Sequence, residues 1–229
     1  MGRAATEEAL IRAIAFDLDG TLVSIDHFSA LNSALAQFGQ KRISPFDHKF
    51  TFDGLPTKVK LELLGVPDEL RAQVMEAKQD ETLRYIYRRV RPQLNVQFAL
   101  CRARFEGLRV AVASNAVRAT VHTSLWRAHL AEYVELLLSN EDVAHTKPHP
   151  EIYEKCLMVL RMRPDEMLVV EDNPKGIASA EAAGCPVLRV NGPDDISWEE
   201  IKKWVLRFSF LPPATDDASR KPVTTSPSH

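Results

Sequence analysis

Ala13-Ile14-Ala15-Phe16-Asp17-Leu18-Asp19-Gly20-Thr21 is the stretch on which the fold reading turns. Residues 13–18 form a short, mostly apolar run with no helical period, and Asp19-Gly20 ends it. Such a run, closed by a turn signal, is a buried strand entering a loop. In an extended chain, residues two apart point to the same side. Asp17 and Asp19 therefore face one site while Leu18 faces the core, and Gly20 lets the chain turn sharply. Two neighbouring carboxylates repel, so they need a cation or a shared proton; the alternative is an acidic loop with no ligand.

Runs of the same kind recur at 108–114, 135–139 and 167–171, with a shorter one at 187–190. Helical patterns separate them at 117–127, 150–160, 174–183 and 198–207. This alternation predicts an α/β fold, a Rossmann-like, doubly wound parallel sheet covered on both faces. In such sheets the ligand crevice lies at the C-terminal strand ends, where Asp17 and Asp19 fall. Residues 23–91 break the alternation, with helical patterns at 28–38, 57–64 and 69–90 and no buried strand. They are read as an inserted α-helical cap domain, and 10–22 plus 92–211 as the α/β core. Residues 212–229 hold four Pro among Ser, Thr, Asp and Ala. They cannot bury enough apolar surface to offset their ordering entropy, and are expected to be a disordered tail.

Composition narrows the class. The 229 residues are 45% hydrophobic and 26% charged, which suits a soluble globular chain. Twenty-nine Lys and Arg against 31 Asp and Glu leave a net charge of -2, unlike the basic balance of nucleic-acid binders. The aromatic residues are scattered with no interleaved basic run, so stacking on nucleic acid is not expected either. No apolar run has the length of a membrane-spanning helix, and Arg12 interrupts the only candidate signal core. Cys101, Cys156 and Cys185 form neither a disulfide framework nor a zinc spacing. A cytoplasmic protein with no membrane partner is expected. The first six residues match a myristoylation pattern, a short one that chance also produces.

Three further segments carry chemistry. Glu171-Asp172-Asn173 ends the strand at 167–171, with Asn173 suited to cap the next helix and Pro174 to open it. Asp172 could serve only the helix N-terminus. Two strand ends offering carboxylates can also build the all-oxygen site that Mg2+ prefers. Ser114-Asn115 lies at a strand-to-helix junction, where a hydroxyl and backbone N–H groups hold an anionic oxygen as readily as they cap a helix. Lys147 precedes Pro148, which keeps it out of helical geometry; it either projects into a site or is a solvated surface lysine.

In chain order, Asp17-Leu18-Asp19-Gly20-Thr21, Ala113-Ser114-Asn115, Lys147-Pro148-His149-Pro150-Glu151-Ile152-Tyr153 and Glu171-Asp172-Asn173-Pro174-Lys175-Gly176-Ile177 resemble the motifs of the haloacid dehalogenase superfamily in its phosphatase branch. The last two motifs resemble the β-phosphoglucomutase-like subgroup with a helical cap. The resemblance spans about residues 12–210. It implies that Asp17 is the nucleophile and Asp19 the general acid and base. It also implies that Thr21, Ser114, Asn115 and Lys147 bind phosphate. Mg2+ is implied on Asp17, the Asp19 carbonyl and Asp172, with Glu171 as a further or outer ligand. The function implied is a phosphatase of a small phosphorylated metabolite, acting as a monomer. Alternatives are a phosphomutase, a phosphonatase using Lys49 or Lys58, and an idle binding protein on the same fold. Candidate substrate residues of the cap are His27, Lys49, Lys58 and Arg89. Ser24-Ile25-Asp26 departs from the acidic pattern common at that point of the family.

Overall fold

A computed structural model describes residues 11–52 and 56–209. The expected tail at 212–229 and the amino-terminal pattern lie outside these residues. Five parallel strands form one sheet: β1 (Ala13–Phe16), β2 (Arg109–Ala113), β3 (Leu136–Leu138), β4 (Met167–Glu171) and β5 (Val187–Arg189), in the order β3-β2-β1-β4-β5. This is the Rossmann-like arrangement, with β1 central. Phe16 stands opposite both Val112 and Val170, so the ends of β1, β2 and β4 lie side by side.

The alternation of side chains along the strands divides the core into two layers. Ile14, Phe16, Val110, Val112, Leu168 and Val170 pack on one face. There they meet α5 (Leu94–Phe105), α6 (Arg118–Arg127) and α9 (Trp198–Ser209). Ala13, Ala15, Ala111, Ala113, Met167 and Val169 pack on the other, against α7 (Glu151–Leu160) and α8 (Pro174–Ala182). Four alanines on that second face leave room for Tyr153 and Cys156 to reach the sheet, and both are fully buried.

Between β1 and α5 lie α1 (His27–Gln37), α2 (Pro45–Asp47), a π-helical turn (His48–Phe52), α3 (Thr57–Leu63) and α4 (Asp68–Arg89). They enclose a separate apolar cluster of Leu31, Ala34, Leu35, Ile43, Phe52, Leu61, Val66 and Val74. The 22-residue α4 spans both regions: Val74 joins this cluster, while Ile86 packs into the main core. Gln79 Nε2 donates to Thr120 Oγ1 at 2.9 Å, tying the middle of α4 to α6.

The strands and most helices fall where the sequence pattern places them. Helix α5 has no counterpart in that pattern. Its apolar residues, Leu94, Val96, Phe98, Ala99, Leu100, Ala103 and Phe105, surround the axis without forming one stripe, so no period marks it. Val96, Ala99, Leu100 and Ala103 are buried, whereas Leu94, Phe98 and Phe105 are exposed.

Candidate active site

The turn after β1 sets the geometry. Leu22 and Val23 N–H both donate to Leu18 C=O, and Gly20 N–H donates to Val23 C=O at 2.7 Å. Leu18 is fully buried in the core, while Asp17 meets the buried Lys147 and Asp19 sits partly exposed in the turn beside Ile25 and His27. Gly20 has φ +91°, a conformation that disfavours a side chain. A Cβ there would also lie 2.2 Å from Asp172 Oδ2.

Asp17 is buried, and its Oδ1 accepts from Lys147 Nζ at 2.7 Å. Lys147 also donates to Glu171 Oε1 at 2.6 Å and to Ala113 C=O at 2.9 Å. An ammonium has three donors, and these three acceptors come from the ends of β1, β2 and β4. Lys147 is 5% exposed, so the solvated-surface alternative is excluded. Asn115 steers its loop: Lys147 N–H donates to Asn115 Oδ1 at 3.0 Å, and Asn115 Nδ2 donates to Lys147 C=O at 3.1 Å. Ser114 is buried, and its Oγ accepts the Ala116 N–H at 3.1 Å, a local turn at the end of β2.

Glu171 is fully buried. Its Oε1 also accepts from Tyr153 Oη at 3.1 Å, and its Oε2 accepts the Asn173 N–H at 3.1 Å. Asp172 Oδ1 accepts from Thr21 Oγ1 at 2.7 Å, and Thr21 is itself fully buried. One oxygen each from Asp17, Glu171 and Asp172 lies within 4.8 Å of the others. Burial, with Glu171 and Asp172 nearby, pushes the Asp17 carboxyl up to about 8 against the opposing pull of Lys147. Burial likewise raises Asp172, with Thr21 opposing. Asp17 and Glu171 share one buried ammonium and Asp172 lies beside them, so ionising all three carboxylates leaves the cluster with an excess of negative charge. An all-oxygen donor set with that excess fits a hard divalent cation such as Mg2+.

Asp19 is not part of that group. Its Oδ1 accepts the Ile25 N–H at 2.7 Å, and its Oδ2 lies 3.2 Å from His27 Nε2. His27 Nδ1 lies 3.3 Å from Lys78 Nζ on α4. His27 is thus joined to Asp19 rather than being a mere surface residue of α1. Lys49, Lys58 and Arg89 are all exposed. Lys49 Nζ sits 5.5 Å from the Phe50 ring centroid.

Lys78 has no place in the sequence reading. The signal for it is positional: Val74, Lys78, Thr82 and Ile86 follow one another at i+4 on one helix face. Val74, Thr82 and Ile86 are all buried, which leaves a lysine inside a buried stripe. Burial and the neighbouring Lys60 push its ammonium down to about 8, although Asp19 favours the charge. In the unfolded chain the group titrates near 10.5. The unfolded state therefore binds more protons between those two values, and stability rises with pH across that window. Below pH 8 the cost of burying the charge is fully present. Lys78→Met is expected to stabilise the chain at pH 7 by up to about 3 kcal/mol, with the gain vanishing towards pH 10.5. Urea unfolding at several pH values checks this.

A second glycine is fixed by sterics alone. A Cβ on Gly176, in the first turns of α8, would lie 1.6 Å from Glu171 Oε1. Glu171 cannot yield, because Lys147, Tyr153 and Asn173 hold both its oxygens. Gly176→Ala is expected to destabilise by about 1–3 kcal/mol although alanine favours helices. Chemical denaturation measures it, and an increase in stability would contradict the packing described.

Comparison with known proteins places the chain in a family. Residues 14–190 match the haloacid dehalogenase-like hydrolase family. The chain is 28% identical to pyrophosphatase PpaX of Bacillus cereus over 194 residues, covering 79% of this chain and 83% of that protein. It is 30% identical to the phosphoglycolate phosphatase of Photorhabdus laumondii over 189 residues, covering 77% and 78%. Among solved structures, CbbY of Rhodobacter sphaeroides in complex with phosphate superposes with a TM-score of 0.73 at 22% identity, covering 80% of this chain and 87% of that one. The β-phosphoglucomutase of Clostridium difficile gives 0.70 at 17% identity, covering 87% and 99%. These two structural likenesses support the fold.

Proposed function

The chain belongs to the haloacid dehalogenase-like hydrolases as an enzyme of phosphoric monoester hydrolysis, and from that premise we propose a Mg2+-dependent phosphatase of a small phosphorylated metabolite, such as a sugar phosphate, working through an aspartyl phosphate. One observation carries the reading. The two aspartates of the β1 turn stand in different surroundings, Asp17 among buried carboxylates beside Lys147, and Asp19 at the rim, held by Ile25 N–H and His27. Carboxylates whose environments differ in this way divide the work of nucleophile and acid–base group.

In this reading an Asp17 oxygen attacks phosphorus and the bond to the ester oxygen breaks, with the Asp19 carboxyl giving that oxygen its proton. Asp19 then takes a proton from the water that attacks the acyl phosphate, releasing inorganic phosphate and restoring Asp17. His27 keeps Asp19 oriented for both transfers. Ser114 and the Asn115 N–H receive the phosphoryl oxygens, joined by Thr21 and Lys147 as each exchanges a donor that it spends on Asp172 or on Asp17 in the free chain, and these donors stabilise the developing charge. Asp17, Asp172 and the Asp19 carbonyl are the residues that hold Mg2+, with Glu171, already engaged by Lys147 and Tyr153, as an outer partner. The ion supplies charge neutralisation between two anionic reactants.

Residues 23–91 act as the cap over this crevice, with Lys78 beside the His27–Asp19 pair as its charged contribution. A small phosphorylated substrate agrees with the relatives: CbbY of Rhodobacter sphaeroides was solved with xylulose-(1,5)bisphosphate. No helix among the described residues is long and apolar enough to cross a membrane. The chain is taken to work in the cytoplasm as a monomer, without a nucleic-acid or membrane partner.

Phosphate release from a panel of small phosphate esters, with and without Mg2+, is the test. Release that requires Mg2+ is expected. Asp19→Asn should slow it by about 10²–10⁴-fold while retaining Mg2+ affinity, because the ligand atom assigned there is a backbone carbonyl. Inactivity across the panel would remove the proposal. Conversion of a hexose 1-phosphate without free phosphate would make the chain a mutase.

A further inference from the structure

The loop from β3 to α7 carries a second group of donor side chains outside the acidic cluster. Glu151 opens α7, and the loop backbone holds its carboxylate: Oε1 accepts the Ala144 N–H at 2.7 Å and Oε2 accepts the His145 N–H at 2.8 Å. The same Oε2 lies 3.0 Å from His145 Nδ1 and 3.9 Å from His149 Nδ1. The two imidazole centroids are 4.6 Å apart. One donor atom from each of the three residues lies within 4.8 Å of the others.

Fastening of the 144–145 loop backbone to the start of α7 accounts for the carboxylate and its two backbone donors. It does not require two imidazoles around one carboxylate oxygen. His145 can donate to that oxygen, but His149 is too far to do so, and its Nδ1 instead accepts the Glu151 N–H at a long 3.3 Å. Both rings are exposed, so they turn without disturbing the core. Two metal–donor bonds of about 2.0–2.1 Å at a tetrahedral angle put the donor atoms about 3.3 Å apart. The two separations from Oε2, 3.0 and 3.9 Å, bracket that value.

We propose that His145, His149 and Glu151 form a binding site for a divalent transition ion of the Zn2+ or Ni2+ class. Two imidazole nitrogens and one carboxylate oxygen suit such ions, whereas Mg2+ prefers an all-oxygen shell. Binding displaces the proton of the His145–Glu151 hydrogen bond and the long bond to His149, and solvent completes the coordination. The two histidines flank Lys147, whose ammonium is buried against Asp17 and Glu171. The ion therefore clamps both limbs of the loop that delivers Lys147.

Calorimetric titration of the full chain with Ni2+, and separately with Zn2+, in excess Mg2+ tests the site. The Mg2+ keeps the acidic cluster from answering for it. One saturable ion per chain is expected, with His145→Gln and His149→Gln each weakening binding by about 10-fold or more. Asp172→Asn should leave this binding as it is. The proposal is overturned if no saturable binding occurs, or if both histidine variants bind like the wild type. Loss of binding in Asp172→Asn with retention in the histidine variants would overturn it too.

Discussion

Asp17→Asn is expected to abolish turnover, lowering kcat by about 10⁴-fold or more, while the chain still folds. Asparagine keeps the shape of the side chain but cannot attack phosphorus. Its effect on stability follows from the charge around it. Burial and two neighbouring carboxylates raise Asp17 to about 8 from an ordinary 3.8. A carboxyl raised in the folded state contributes most stability below the unfolded value, and loses it as pH climbs from about 4 to 8. At neutral pH without a divalent ion, the native chain therefore bears a cost that the neutral amide removes. Asp17→Asn should unfold at the same or a higher temperature than the wild type in chelator. Addition of Mg2+ should raise the melting temperature of the wild type more than that of the variant. Equal Mg2+ shifts in both would mean that Asp17 does not hold the ion.

Lys147→Met should act in the opposite sense on stability. Among the described residues its ammonium is the one positive group in contact with both Asp17 and Glu171, and Glu171 is fully buried. Methionine has similar length and leaves the two carboxylates facing each other without it. Removing one partner of a buried ion pair costs about 3–5 kcal/mol, read by urea denaturation in chelator. Arginine should not rescue it. Three acceptors surround a compact ammonium here, and a planar guanidinium cannot meet the same three directions. Activity should fall together with stability in both variants. Unchanged stability of Lys147→Met would show that the carboxylates had found another neutralising partner. Asp17→Asn and Lys147→Met thus form a matched pair, one relieving and one worsening the same excess of negative charge.

Much of the site is legible before any coordinates because its parts are local. An apolar run ending in Asp-x-Asp-Gly dictates a strand, a turn and two carboxylates at the strand end. Glu171-Asp172-Asn173-Pro174 likewise dictates a strand end and a capped helix, and Asn173 does cap α8 through Lys175 N–H. Helix α5 was illegible for an equally local reason, since its apolar residues make no stripe. The direction of Asp19 also escaped the pattern. Residues two apart share a side in a strand, but β1 ends at Phe16 and the turn carries Asp19 towards Ile25 and His27.

Short-range sequence therefore settled the strands, the turn after β1, the carboxylates at two strand ends and the order of the motifs. Each of these depends on backbone preferences within a few residues. Tertiary structure alone decided who neutralises whom. Lys147 meets Asp17 across 130 positions, Thr21 meets Asp172 across 151, and His27 meets Lys78 across 51. Burial, the main cause of the raised Asp17 and the lowered Lys78, is likewise a property of the packed chain. A charge acquires its partner and its dielectric surroundings only when distant segments close around it. The ordered motifs resembled those of a phosphatase family, and the packing of β1, β2 and β4 joined them into one charged site.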